Sequence, residues 1–241
     1  MRVVALISWF DESPTWLAAA VTSAARLCDH VVCVDGAYGH YPGGRPSSGV
    51  DQSMAVRMAA EAAGVGCTIH VPAGVWVGDE VAKRSFMFRA GQLVAEPEVD
   101  WFLVIDADEM VTDCDETVRG QLASTCDDVA TVGYSTYEDL TAVDEDHSHR
   151  EHRSTVRARR LFRAAEAPIR VEGQHWMYVA SRDGIDQALW GPGQVDACDL
   201  LGVTIEHRTH LRPPTRRASA QRYYRMRDAL GLERPRVEAA A

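Results

Sequence analysis

Along the first half of the chain, short apolar runs alternate with amphipathic segments. Residues 3–7 are unbroken apolar sequence of strand length. Residues 8–12 follow as a loop. Ser13-Pro14 then offers an N-cap and a proline at the first helical position. Trp16, Leu17, Ala20, Val21, Ala24 and Leu27 recur at helical spacing and predict a helix over 14–27. A second strand over 31–34 ends in Asp35-Gly36. Residues 37–49, rich in Gly, Pro and Ser and carrying Tyr38 and Tyr41, read as a loop. Asp51 is placed to cap a helix that Gly64 ends. A third strand spans 67–71, and 72–78 is a loop with Trp76. Asp79 opens a helix through 95. The apolar run 101–105 then stops abruptly at Asp106-Ala107-Asp108-Glu109. Four strand–helix repeats predict parallel strands joined by right-handed crossovers, a doubly wound α/β layer.

The second half breaks that rhythm. A helix is predicted over 115–124 and a strand over 129–137. Residues 139–153 are polar, carry His147, His149 and His152, and read as an exposed loop. Runs 157–162 and 169–179 read as a hairpin-like pair. Gly191-Pro192-Gly193 is a turn, 200–205 a last short strand, and Pro213-Pro214 precedes a helix over 215–230.

The chain has 241 residues, 46% hydrophobic and 25% charged, which suits one large α/β domain. The net charge of −10 argues against a generic nucleic-acid binder, although arginines crowd 208–236. Six cysteines without a C-x-x-C pair read as reduced thiols of a cytoplasmic protein. Met1-Arg2 leads straight into the first strand with no signal-peptide pattern. No apolar run reaches the ~18 residues of a membrane span.

Asp106 and Asp108 lie where an open α/β sheet binds ligands, at the C-terminal lip of a strand. Two carboxylates there repel unless a cation or a proton sits between them, and hard oxygen ligands suit Mg²⁺ or Mn²⁺. His207 or His210, after the last strand, offers a further ligand. Asp35, at the second lip, is placed to accept hydrogen bonds from a base or ribose, and Tyr38 to stack. Lys83, Arg84, Arg212, Arg216, Arg217 and Arg222 supply phosphate-binding cations. His175 beside Trp176 suits a proton acceptor next to a sugar-stacking ring. Taken singly, each of these is as well explained as a surface residue or a turn; together they point to a phosphate-bearing ligand.

Lys83-Arg84, the helix after it, and Asp100-Trp101-Phe102-Leu103-Val104-Ile105-Asp106-Ala107-Asp108-Glu109 resemble family 2-type glycosyltransferases of the GT-A fold, particularly the bacterial lipopolysaccharide-core type. Arg160-Leu161-Phe162-Arg163 and Gln174-His175 are similar to that family's strand pair before its acceptor site. The resemblance implies one GT-A (Rossmann-like) domain: a mostly parallel central sheet flanked by helices, with a smaller mixed β region towards the C-terminus. Residues 1–112 would form the nucleotide-sugar half, 113–232 the acceptor half and last helix, and 233–241 a frayed tail. It implies a metal-dependent glycosyltransferase using a nucleotide-diphosphate sugar, foremost a UDP-sugar. Asp35 matches the nucleobase or ribose contact, Asp106 and Asp108 the metal motif, His207 its histidine with His210 as competitor, and Arg84 a basic residue at the donor. The acid that often follows the histidine matched by His175 is here Trp176. Glu172, Asp196, Asp199 and His175 itself are left as candidate bases. The acceptor stays open: a glycan, a lipid-linked sugar, a protein or a modified DNA base. A nucleotidyltransferase and a non-catalytic nucleotide-sugar-binding module are the competing readings. The acidic, aromatic Ser8-Trp9-Phe10-Asp11-Glu12 disfavours the first, and the missing acid at Trp176 feeds the second.

Overall fold

Strand β1 (Val3–Ser8) is buried along its whole length, but on two faces: Val3, Ala5 and Ile7 join one core, Val4 and Leu6 another. A strand covered on both sides must be apolar throughout, which is why its sequence shows a run and no alternation. β4 (Trp101–Asp106) repeats the arrangement and pairs with β1 in parallel, Val3 opposite Trp101 and Ser8 opposite Asp106. The computed structural model describes residues 1–77, 79–94, 99–139, 151–165, 167–173, 175–209, 212 and 214–229.

The remaining elements of the first half are α1 (Pro14–Ala24), β2 (His30–Val34), α2 (Val50–Ala62), β3 (Gly66–His70) and α3 (Asp79–Leu93). The second half contributes β5 (Glu109–Cys114), α4 (Val118–Ser124), β6 (Val129–Asp139), β7 (Glu151–Arg163), β8 (Arg170–Val171), β9 (Tyr178–Arg182), β10 (Ile185–Trp190), β11 (Cys198–His207) and α5 (Pro214–Ala229). Among the described residues a large sheet runs β3-β2-β1-β4-β7-β6-β11-β5, and β10-β9-β8 form a small antiparallel sheet. β3, β2, β1 and β4 are parallel; β7 runs against β4 and β6, and edge strand β5 against β11. The fold is α/β and Rossmann-like, a mostly parallel sheet with helices on both faces. α1 packs beside α2 over one face; α3 and the small sheet cover the other.

The structure revises the expected elements in several places, among them strand β10, which no sequence pattern marks. Residues 109–114 form strand β5, which periodicity had not marked. Gly49, with no side-chain bond, stands at the N-cap of α2, and Asp51 lies inside its first turn. The run 169–179 is two strands broken at Gly173, whose φ of +66° is left-handed. Its strands pair with each other and with β10, while β7 inserts between β4 and β6. The expected loop 139–153 is shorter, because the β6–β7 ladder continues to Asp139 opposite Glu151. Residues 140–150, with His147 and His149, the side chain of His152 and the expected tail lie outside the described residues. No helix among the described residues is long and apolar enough to cross a membrane.

Gly91 shows how closely α3 lies on the sheet. A Cβ there would stand 2.7 Å from the Phe102 ring and 2.9 Å from Leu6 Cδ2, both fully buried. Alanine ordinarily gains about 1 kcal/mol over glycine in a helix. Here overpacking reverses the sign, and we expect Gly91→Ala to lower unfolding free energy by about 1–3 kcal/mol. A shifted midpoint in chemical denaturation checks it; a more stable variant would show that α3 lifts off without cost.

Candidate active site

β1 and β4 end side by side, and the chain turns at Ala107-Asp108 before β5. β5 then crosses to the far edge and pairs with β11 so that Glu109 faces His207. That register brings Asp108 beside the end of β11, and Arg208 N–H donates to the Asp108 carbonyl at 2.8 Å. His207 Nε2 lies 3.2 Å from Asp108 Oδ2, and Arg212 Nη1 lies 3.2 Å from the same oxygen. Thr209 donates its hydroxyl to it as well. Arg212 also pairs with Glu12 from the loop after β1. These groups line a cavity of about 690 Å³ at the carboxyl lip of the sheet, within the range of small-molecule sites.

Asp106 turns the other way. Its Oδ1 accepts from Arg84 Nη2 at 2.8 Å, and Arg84 Nε donates to Glu80 Oε1 at 3.0 Å, one helical turn back. Under the floor lies Glu109, fully buried. It accepts from Arg160, from the Tyr134 hydroxyl at 2.5 Å and from the Asp106 amide at 2.8 Å. Aromatic rings line the walls, among them Phe10, Tyr38 and Tyr41 in contact with one another, Trp176, Tyr178 and Trp190 in a second cluster, and Trp9 and Tyr224.

The charges follow these contacts. Burial works against ionising Asp108, but hydrogen bonds from His207 and Thr209 and the Arg212 charge outweigh it, so its carboxyl titrates well below the usual range. Burial lowers the His207 pKa; its bond to Asp108 and the surrounding carboxylates more than offset this and leave it raised. For Asp106, burial is likewise outweighed, by Arg84 and Arg160, and the pKa falls.

Asp106, Asp108, His207, Arg84, Arg212, Lys83, Tyr38 and His175 therefore all line one cavity. Lys83 is 1% exposed and donates to the Trp9 carbonyl at 2.6 Å and the Gly36 carbonyl at 2.8 Å, with its ammonium over the Tyr38 ring. It ties the two loops that follow β1 and β2, where sequence alone suggested a phosphate contact. Gly36 has φ +100°, and a Cβ there would meet the Pro46 carbonyl at 2.5 Å. Replacing Lys83 by Met leaves both carbonyls short of their charged donor. We expect a loss of about 2–4 kcal/mol in stability and faster hydrogen exchange in both loops; unchanged exchange there would show that the loops hold without it.

Asp35 is buried away from the cavity, its carboxylate taken by the amides of Gly36 and Ser48 and by the Ser48 hydroxyl, at 2.6–2.7 Å. Glu172 and Asp196 do not line the cavity. Both are exposed, Glu172 against Arg170. Asp199 is engaged by Thr131 and Arg157. His210 and the side chain of Arg216 lie outside the described residues. Sequence reading passed over Glu80, Tyr134 and Thr209, and took Glu12 only as part of an acidic loop. Only Glu80 left a local signal, standing four residues before Arg84 at helical ion-pair spacing.

Among the described residues no cluster of three or more His, Cys, Asp or Glu side chains is arranged to hold a metal ion. No protein-family model and no curated protein matches the sequence. Among solved structures, 4-diphosphocytidyl-2C-methyl-D-erythritol synthase from Anaerococcus prevotii aligns over 67% of this chain and 71% of its own, at 10% identity and a TM-score of 0.36. A likeness that distant carries no argument about chemistry.

Proposed function

We propose that the chain is a metal-dependent glycosyltransferase of GT-A type, moving a sugar from a nucleotide-diphosphate sugar, foremost a UDP-sugar, to a hydroxyl acceptor. The observation that carries this reading is the Asp108–His207–Arg212 cluster at the strand lip, beside Asp106–Arg84, inside an aromatic-walled cavity. The chemistry of the donor set fits a divalent cation. Mg²⁺ and Mn²⁺ are usually held by one or two protein groups, with substrate phosphates and water completing the shell. Asp108 and His207 are two such groups already directed at each other. Among the described residues, five carboxylates (Glu12, Glu80, Asp106, Asp108, Glu109) face four fixed cations (Lys83, Arg84, Arg160, Arg212). A diphosphate entering such a balanced site needs additional positive charge.

When bound, the cation would neutralise the charge that develops on the departing nucleoside diphosphate. Arg84 and Arg212 flank that position and orient phosphate oxygens with their planar donors. Tyr38, Tyr41 and Tyr224 offer stacking faces for the base, and Trp176 and Trp190 a face for a sugar ring. The buried Glu12 in the loop after β1 opposes a nucleotidyl transfer that places a triphosphate there.

Calorimetry with UDP, with and without Mn²⁺, tests the donor site: Mn²⁺ is expected to strengthen binding at least about tenfold, or roughly 1.4 kcal/mol. Product analysis with a panel of sugar nucleotides and nucleoside triphosphates tests the reaction. Release of pyrophosphate from a triphosphate in place of nucleoside diphosphate from a sugar nucleotide would reject glycosyl transfer.

A further inference from the structure

We infer that Glu80 and His175 form the proton-accepting pair of this site, His175 Nε2 taking the proton of the acceptor hydroxyl while Glu80 holds the ring through Nδ1. The inference rests on the glycosyltransferase reading above, and it supplies the base that Trp176 fails to provide.

Among the described residues four carboxylates line the cavity: Glu12, Glu80, Asp106 and Asp108. Glu12 is paired with Arg212, Asp106 with Arg84, and Asp108 with His207, Thr209 and Arg212. Glu80 differs. Its side chain is 8% exposed, and Arg84 Nε occupies only Oε1. Oε2 is buried and accepts no hydrogen bond among the described residues, and His175 Nδ1 stands 3.7 Å from it. A buried carboxylate oxygen without a donor is costly, so a donor is expected nearby. A ring with its proton on Nδ1 meets that need and leaves Nε2 unprotonated, the nitrogen that can take a proton. Catalytic contacts of this kind are often long in an empty site and tighten when substrate binds.

The ring's place supports the role. His175 sits in the turn between β8 and β9, next to Trp176, whose ring faces Trp190 at 5.8 Å. These aromatics line the cavity together with Tyr38, Tyr41 and Tyr224. An acceptor resting on them presents its hydroxyl between His175 and the donor carbon. Asp106 and His175 also feel each other's field, and Arg84 stands between Asp106 and Glu80.

In the step, the acceptor O–H bond breaks and its proton passes to His175 Nε2. The freed oxygen pair forms the bond to the anomeric carbon. The bond from that carbon to the diphosphate oxygen breaks, and its electron pair leaves with the nucleoside diphosphate. The imidazolium, stabilised by Glu80, then returns its proton to water. His175 is thus the catalytic residue and Glu80 its positioning residue.

Nitrogen-15 NMR of the full chain reads the ring directly, with the His175 signals assigned by loss in His175→Gln. The wild type is expected to show the Nδ1–H tautomer, and Glu80→Gln a mixture of tautomers. The glutamine keeps an oxygen for Arg84, removes the charge and sets an amide donor where Oε2 accepts, which no longer favours a proton on Nδ1. With a UDP-sugar as probe and water as acceptor, Glu80→Gln and His175→Gln should each lower kcat for hydrolysis about 10²-fold. Donor KM and UDP affinity should stay within about twofold, and Glu80→Asp should recover part of kcat. A tautomer mixture already in the wild type, or a loss confined to KM, overturns the inference and leaves the donor site standing. A wild type that binds no nucleoside diphosphate overturns the glycosyltransferase reading, and the inference with it.

Discussion

Asp108→Ala is expected to lower sugar transfer or donor hydrolysis by at least about 10³-fold, a loss of roughly 4 kcal/mol of transition-state stabilisation. The physical reason separates it from a general loss of binding. Asp108 is 5% exposed and shared by His207, Thr209 and Arg212. Removing it deletes one anion from a cavity in which fixed charges nearly cancel, so the metal-free site becomes more positive. UDP affinity without metal should therefore hold or rise, while the strengthening by Mn²⁺ should vanish. Arg212 keeps Glu12 as a partner, so the fold should survive, and circular dichroism with a denaturation curve confirms it. Calorimetry on the same samples checks the rest. If Mn²⁺ strengthens UDP binding equally in the wild type and the variant, Asp108 is not a metal ligand.

The first half of the fold was legible because its strands are covered on both faces. β1, β2 and β4 read as unbroken apolar runs, and the helices between them announce themselves through Pro14 and the Leu17–Val21–Ala24 stripe. β5 was hidden because its inward face opens with a charge. Glu109 and Val111 point into the core, but a strand that begins on a buried glutamate shows no apolar alternation. β10 escaped for the opposite reason, since Ile185 is 66% exposed and its apolar residues follow no single face. Sequence placed β7 against the wrong neighbour because local adjacency favours hairpins, whereas its register with β4 is set across the sheet.

The site was legible residue by residue only where chain position fixes it. Asp106 and Asp108 follow from the strand lip, and Arg84 from the helix before it. The partners that give these residues meaning come from elements remote in sequence. Asp108 meets His207 through the antiparallel β5–β11 register, and Glu80 meets His175 because the small sheet packs on α3. Asp35 and Lys83 share a different lesson. Their residue types suit a ligand, but backbone groups of the surrounding loops had already claimed them.

Glu109→Ala should cost about 3–5 kcal/mol of stability, the largest loss expected from a single substitution beneath the cavity. Glu109 is fully buried and accepts from three sources: Arg160, the Tyr134 hydroxyl and the Asp106 amide. Truncation leaves a guanidinium that is 9% exposed facing a void, with its Nε already lacking a partner. Burial opposes the charge on both partners: Glu109, helped by Asp106, holds the Arg160 guanidinium charged, while burial raises the Glu109 pKa against the pull of Arg160, so each charge depends on the other. Tyr134 loses its acceptor as well, and its ring stacks on His207, so the damage reaches the Asp108–His207 cluster through packing. Replacing both members by apolar residues, Glu109→Leu with Arg160→Met, should recover a substantial part of the loss, because no buried charge then stands alone. Urea denaturation of the two single variants and the double variant forms the cycle that decides it. Single losses below about 1 kcal/mol would mean that water reaches the pair and that Glu109 does not anchor the floor of the site.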